Sequence, residues 1–536
     1  MKRFLSLFFL SLGIGFILVS CANRGNPSGG EKDIDPPVIV KSEPENFSTD
    51  FNSKEIKIYF DEYVKIKDLQ KHLIISPPMT TQPEITPLGS ASKYIKIKIN
   101  DTLRANTTYA FNFGESIVDN NEGNPYPYYK YIFSTGNFID SLKVSGTVKD
   151  AYAFKTDDFI SVGLYEMDST FTDSIIYKAK PKYITSTLDS TSFELQNLKA
   201  GKYMMVAFKE KNTDYIFQPK TDKIGFIKEA ITIPTENKYE LKMYNEQLDF
   251  KVVRPKLIAG QKIMFPFEGK PSKDLKINLI STNPENYKYN IVKDLEKDSL
   301  YYYYTPKIES DSLLFTVTNK TYVDTFTVRM KEQKLDSLTF KAYPNGTINF
   351  NEIFEIGANT PLSKINTKKI TLINKDSVAV PFTNSFDKIK NRYQFSFDKI
   401  EQERYSMQLL PGALTDLFEQ QNDTLNYQIS TKTESDYGNI RLTLKNAKYP
   451  LLVELIGDKS EKIATSYYIT KPEPIDLRFV LPGKYYIRVI HDTNKNEKYD
   501  AGNYLKQLQP ERVSFYPKLL EIRAGWDEII EFELLD

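Results

Sequence analysis

Cysteine is all but missing from this chain: one residue, Cys21, stands in 536 positions, beside one tryptophan and two histidines. A lone thiol closes no internal disulfide, so the fold must draw its stability from burial. His72 and His491 are the only histidines, and neither lies in a nucleophile-like context, so a Ser-His-Asp arrangement has little to draw on. Zinc on two histidines without a thiol would need carboxylates to complete its shell. Neither sign of charge is in excess: 71 basic and 70 acidic residues are interspersed, for a net charge of +1. That balance removes the basic face on which nucleic-acid binding depends. Gly29-Gly30 lacks the strand-to-helix setting of a phosphate cradle. Asp61-Glu62 are adjacent on a strand and point to opposite faces, which makes them a poor glycosidase pair, whose carboxyl groups stand ~5–9.5 Å apart. Long amphipathic helices are lacking, and beyond residue 21 no apolar run is long enough to cross a membrane. The expectation is a protein without catalytic residues or a small-molecule substrate.

Cys21 itself is well placed. Met1-Lys2-Arg3 supplies a positive start, Phe4 to Val19 is nearly unbroken apolar sequence, and Leu18-Val19-Ser20-Cys21 ends it. The segment resembles a bacterial lipoprotein signal with its lipobox. That resemblance implies a signal peptide over 1–20, a diacylated (palmitate-type) Cys21, and membrane association through the lipid. Ala22 follows rather than Asp, and acidic residues come late, at Glu31 and Asp33. The sorting habits of such lipoproteins then imply the outer membrane, with the periplasmic or cell-surface face undecided. Residues 22–37, rich in Gly, Pro and Asn, read as a flexible tether that follows the lipidated cysteine.

From Val38 onward, apolar residues alternate with polar ones. Ile56, Ile58 and Phe60 do so, as do Ile95, Ile97 and Ile99, and then Tyr109, Phe111 and Phe113. Period two between turn residues predicts half-buried antiparallel strands, and 36 Tyr with 34 Phe fit strands better than helices. The fold class is all-β: an elongated tandem array of antiparallel β-sandwiches. Two internal repeats organise it. Ser192–Tyr203 matches Asp476–Tyr485, each a strand, a glycine turn and a Gly-Lys-Tyr that opens the next strand. Phe113–Asp119 matches Leu410–Asp416, each between two strands. Spacing this long reads as duplicated modules rather than a solenoid.

The pieces Pro44, Ile56–Val64, Ile75-Ser76-Pro77-Pro78 and Ile117-Val118-Asp119 resemble the bacterial Ig-like domain first named from surface-layer proteins. With the tether, they look like Bacteroidota envelope lipoproteins. The Gly-Lys-Tyr modules resemble prealbumin-like or carboxypeptidase-regulatory-like sandwiches. The resulting division is Ig-like over 38–137, prealbumin-like over 138–247, a β-rich unit of unknown type over 248–331, a divergent Ig-like copy over 332–433 and a prealbumin-like sandwich over 434–536.

Among candidate sites, Asp492, Asn494, Asn496 and Asp500 place oxygen side chains through one loop, a pattern that can converge on Ca²⁺. No glycine follows Asn496, and Asn503 stands where a closing Glu belongs. The competing reading is a turn in which Asp and Asn bond their own backbone. The counterpart Glu210–Asp214 keeps fewer such oxygens. Tyr301–Tyr304 and Tyr126-Pro127-Tyr128-Tyr129 could stack on sugars or a partner, although alternation sends half of the first group into a core. His72 is expected at the surface beside a strand, His491 at a turn, and Trp526 as a cap on the last sandwich. The chain is thus expected to present sandwiches to a protein partner, as an accessory subunit of an outer-membrane complex in export, barrel assembly or uptake. A glycan-binding or carbohydrate-processing lipoprotein is the alternative.

Overall fold

In strand Glu55–Ile66 the side chains of Ile56, Ile58, Phe60 and Val64 are buried, while Lys57 and Tyr59 between them are not. Ile56 faces Ile97 and Ile58 faces Ile95 across the antiparallel ladder with Ser92–Lys98. Such same-face pairs fix the register, because a slip of one residue would turn every isoleucine to water. Burying each stabilises the sandwich by about 1.5–3 kcal/mol.

This computed structural model describes residues 33–281 and 284–535. Cys21, the expected signal segment and most of the expected tether lie outside the described residues. Within them the chain is an all-β tandem array of antiparallel sandwiches, in which the one α-helix, Leu69–His72, is a single turn. Five main apolar cores follow one another along the sequence, spanning Phe51–Phe133, Val144–Met243, Phe250–Val328, Ala342–Ile429 and Ile440–Leu534. They are called here the first to fifth sandwiches.

The second and fifth sandwiches share details far finer than topology. In each, the first strand pairs parallel with the last: Leu142–Asp150 with Lys238–Asn245, and Gly438–Lys445 with Asp527–Glu533. The Gly-Lys-Tyr tyrosine donates its hydroxyl to a carbonyl four residues back in both, Tyr203 to Lys199 at 3.1 Å and Tyr485 to Leu481 at 2.8 Å. Two residues before that carbonyl the backbone is left-handed in both copies, at Asn197 (φ 58°) and Phe479 (φ 56°).

The first and fourth sandwiches match in the same way. Tyr109 Oη accepts the Arg104 N–H at 2.9 Å, and Tyr405 Oη accepts the Ile400 N–H at 2.8 Å. Thr135 Oγ1 accepts from Thr107 N and donates to the Arg104 carbonyl; Thr431 does the same with Glu403 and Ile400. Asp119 and Asp416, both buried, each collect backbone N–H groups from the turn after their strand. Equivalent side chains bonding equivalent atoms are the mark of one module used twice.

Neighbouring sandwiches are joined by packed junctions, and the array also doubles back. Ile74 packs on Ile184 and Leu188 between the first and second. Tyr303 donates to the Asn359 carbonyl at 2.9 Å between the third and fourth, and Tyr437 to Asn349 Oδ1 at 2.9 Å between the fourth and fifth. The fifth sandwich then returns to the second: its Tyr504 lies fully buried in a second core with Tyr165, Val206, Phe208, Phe226 and Tyr244.

Candidate interaction surfaces and the Asp492 loop

The strand Gly483–His491 delivers the chain into the Asp492 loop. Asp492 is buried, and its two carboxylate oxygens accept the N–H groups of Asn496 at 3.1 Å and Glu497 at 2.8 Å. Burial works against its charge, but those N–H groups hold its carboxyl below the usual range. Asn494 Oδ1 accepts from Asn496 N, and Asn496 Oδ1 from Lys498 N. The amide nitrogens of Asn494 and Asn496 both donate to Asp500 Oδ2. The four predicted residues are therefore brought together, with their oxygens engaged by the loop's own N–H groups, which is the geometry of the turn. Among the described residues no group of three or more His, Asp and Glu is placed to hold a metal. Glu511 was not singled out in the sequence, yet it closes the loop by accepting from Thr493 N at 2.9 Å and Asp500 N at 3.1 Å. It lies on the following segment, and loop spacing carries no trace of it.

In the second sandwich the equivalent loop is closed by Glu210, whose Oε2 accepts the Tyr215 N–H at 2.6 Å. Its Oε1 is buried without a hydrogen-bond partner, and burial pushes the carboxyl up to about 7.

The tyrosine run ends up inside rather than outside. Tyr302 and Tyr304 belong to the third core, as alternation predicts. Tyr303, on the other face, is also buried, against Asn359 and with its ring 6.5 Å from Phe418 of the fourth sandwich. Tyr301 is half-buried and donates to Asp294 at 2.7 Å. A stacking platform is thereby corrected to a domain junction, because the outward face of this strand meets a neighbouring sandwich. Tyr128 is exposed, whereas Tyr129 is buried beside Tyr126 at 5.7 Å. His72 is likewise not a free surface residue: it ends the one-turn helix, half-buried, with its ring 5.6 Å from Phe159 of the second sandwich at 85°. His491 bonds Ser514 at 3.2 Å, and burial, with Arg512 and Lys448, lowers its pKa. Trp526 is 50% exposed, with Arg523 over its ring at 4.9 Å, so it caps no core.

Charged and aromatic side chains meet at the seam between the second and fifth sandwiches. Arg488 is ion-paired to Glu454 at 2.7 Å with both side chains 5% exposed. Its guanidinium also lies 3.5 Å from the centre of the Tyr152 ring and donates to the Tyr152 carbonyl at 2.7 Å. Phe154 stacks on Tyr486 at 4.0 Å and meets Phe515 edge-on at 5.3 Å. Tyr152 stacks on Tyr499 at 4.4 Å. On the second sandwich, Lys223 bonds Asp150 at 2.6 Å and Asp157 at 2.7 Å, pinning both ends of the loop that carries these aromatics.

Residues 33–135 match the model of a bacterial Ig-like domain family. No curated protein matches the chain. Among solved structures, domains 1–6 of the surface layer protein SbsC align at 11% identity over 90% of this chain and 67% of that one, with a TM-score of 0.17. A mixed-linkage glucan utilization protein of Bacteroides ovatus, SGBP-B in complex with a heptasaccharide, aligns at 11% identity over 71% of this chain and 91% of that one, with a TM-score of 0.18. The I9–I11 tandem of titin aligns at 10% identity over 53% and 100%, with a TM-score of 0.12. Identities and TM-scores this low bear on no residue and no role.

Proposed function

We propose that the chain is a non-enzymatic, lipid-anchored protein of the outer membrane. It presents its sandwiches to a protein partner, as an accessory subunit of an outer-membrane complex. The observation that carries this reading is the order of parts: an apolar run ends at the only cysteine, a Gly/Pro/Asn-rich tether follows, and a bacterial Ig-like domain begins at residue 33. An Ig-like domain suits interaction or a surface role. Two acyl chains on Cys21 would anchor it stably, where a single chain binds only marginally. The tether then sets reach, and the sandwiches at its end present surfaces to the partner. Replacing Cys21→Ser tests the anchor: the chain is expected to move from the membrane to the soluble fraction, and a variant that stays membrane-bound defeats the reading. Pull-down from detergent-solubilised envelopes is expected to bring down a stoichiometric membrane protein.

The glycan-binding alternative has one observation in its favour. A cleft of about 690 Å³ at the junction of the first and second sandwiches is lined by Tyr128, Lys130, Thr147, Ser190, Glu194 and Tyr239. Rings beside hydroxyl and carboxylate groups suit sugars. Binding on a glycan array with no co-purifying protein would favour this reading over the first.

A further inference from the structure

The second and fifth sandwiches are copies of one module, yet they cover their second sheet face differently. In the second, the 167–182 connection between Ser161–Glu166 and Tyr183–Ser186 folds over that face, placing Ile176 against Tyr165, Met204, Val206 and Phe208. In the fifth, the equivalent connection between Leu451–Gly457 and Ile463–Ile469 is the short hairpin 458–462. It leaves Glu454, Tyr486, Arg488 and Phe515 for another segment to cover. Tyr152-Ala153-Phe154 of the second sandwich takes that place. One anchor is Tyr152, under the Arg488 guanidinium and bonded to it through its carbonyl; the other is Phe154, between the Tyr486 and Phe515 rings. Two aromatic anchors spaced by a small residue, with a charged group reading the backbone between them, are the components of a peptide-recognition site.

The seam is also imperfectly satisfied. The hydroxyls of Tyr244, Tyr499 and Tyr504 are buried there without a hydrogen-bond partner, and each such group costs stability.

We propose that the Glu454–Tyr486–Arg488–Phe515 face of the fifth sandwich is a docking site for a protein loop presenting an aromatic, a small residue and an aromatic. The chain's own Tyr152-Ala153-Phe154 occupies the site until such a partner displaces it. Displacement releases the 151–157 loop from the fifth sandwich, while Tyr504 stays in the core it shares with the second. This goes beyond the lipid-anchor reading and does not depend on it. The closed form lowers apparent affinity by the fraction of chains that are open.

The test uses the full chain and a synthetic peptide of residues 149–157 as the probe. The Tyr152→Ala/Phe154→Ala chain is expected to bind the labelled peptide at least about tenfold more tightly than the unaltered chain. Adding Arg488→Ala is expected to abolish that binding. A folded double variant that fails to bind overturns the proposal, as does binding that survives Arg488→Ala. A double variant that instead dimerises and excludes the peptide assigns the face to a second copy and overturns it equally. Should the double variant not fold, hydrogen exchange on the unaltered chain decides. Excess peptide is expected to speed exchange at 151–157 while 486–490 stays protected, and unchanged exchange at 151–157 refutes displacement.

Discussion

Glu210 and Asp492 close equivalent loops with carboxylates that burial treats differently. Asp492 has backbone N–H groups on both oxygens and stays charged, whereas Glu210 has the single backbone N–H of Tyr215. Asp214 and Asp222 add negative charge nearby, and the carboxyl rises from its ordinary 4.5 to about 7. A raised carboxyl favours the folded state when protonated, so its contribution is complete below pH 4.5 and is lost as pH climbs through 7. Glu210→Gln keeps the bond to Tyr215 and removes the titration. The variant is expected to melt at nearly the same temperature at pH 5 and pH 8, while the unaltered chain melts about 2–4 °C lower at pH 8, as read by calorimetry. Arg488 and Glu454 make the opposite case, a pair satisfied on both sides. Glu454→Ala leaves a buried guanidinium without its anion and is expected to cost about 3–5 kcal/mol in urea denaturation. Glu454→Leu with Arg488→Met is expected to cost less than that single change.

Strands were the most legible elements, because period two forces one face inward, as at Ile56, Ile58 and Phe60; their partners, such as Ile97 opposite Ile56, were not. Both duplications were legible too, since Gly-Lys-Tyr recurs with its spacing intact. The reason it recurs was not: the tyrosine hydroxyl ties back to a carbonyl four residues earlier, and the glycine lets that ring lie over the chain. A Cβ on Gly201 or on Gly483 would stand 3.2 Å from the ring of Tyr203 or Tyr485. Tyr203→Phe and Tyr485→Phe are each expected to lose about 1 kcal/mol in denaturant titrations, with native spectra retained. Gly146 is a sterner case, on the strand that pairs parallel with Lys238–Asn245. A Cβ there would lie 2.1 Å from the Tyr239 carbonyl oxygen and 2.7 Å from the Phe193 ring. Gly146→Ala must spread that strand pair and is expected to destabilise the chain by about 1–3 kcal/mol or more, measured the same way.

At the scale of the whole molecule, an all-β tandem array was legible in the sequence, and its return on itself was not. Alternation within a strand reports which face is buried, and Tyr303 shows that it does not report against what. The outer faces of Tyr301–Tyr304 and of Gly483–His491 are covered by other sandwiches, the latter by a segment more than 300 residues earlier in the chain. Tyr504 is the sharpest instance: a residue of the fifth sandwich, fully buried, edge-on to Phe226 at 5.2 Å and with its N–H donated to Glu246. A side chain that completes another domain's core couples the two domains' unfolding. Tyr504→Ala removes an aromatic from that core and is expected to cost about 3–5 kcal/mol. The loss is expected to appear as faster hydrogen exchange in Lys223–Phe226 and Lys238–Asn245 of the second sandwich as well as around residue 504. If exchange rises only near 504, the second sandwich holds its core alone, and the fifth merely rests against it.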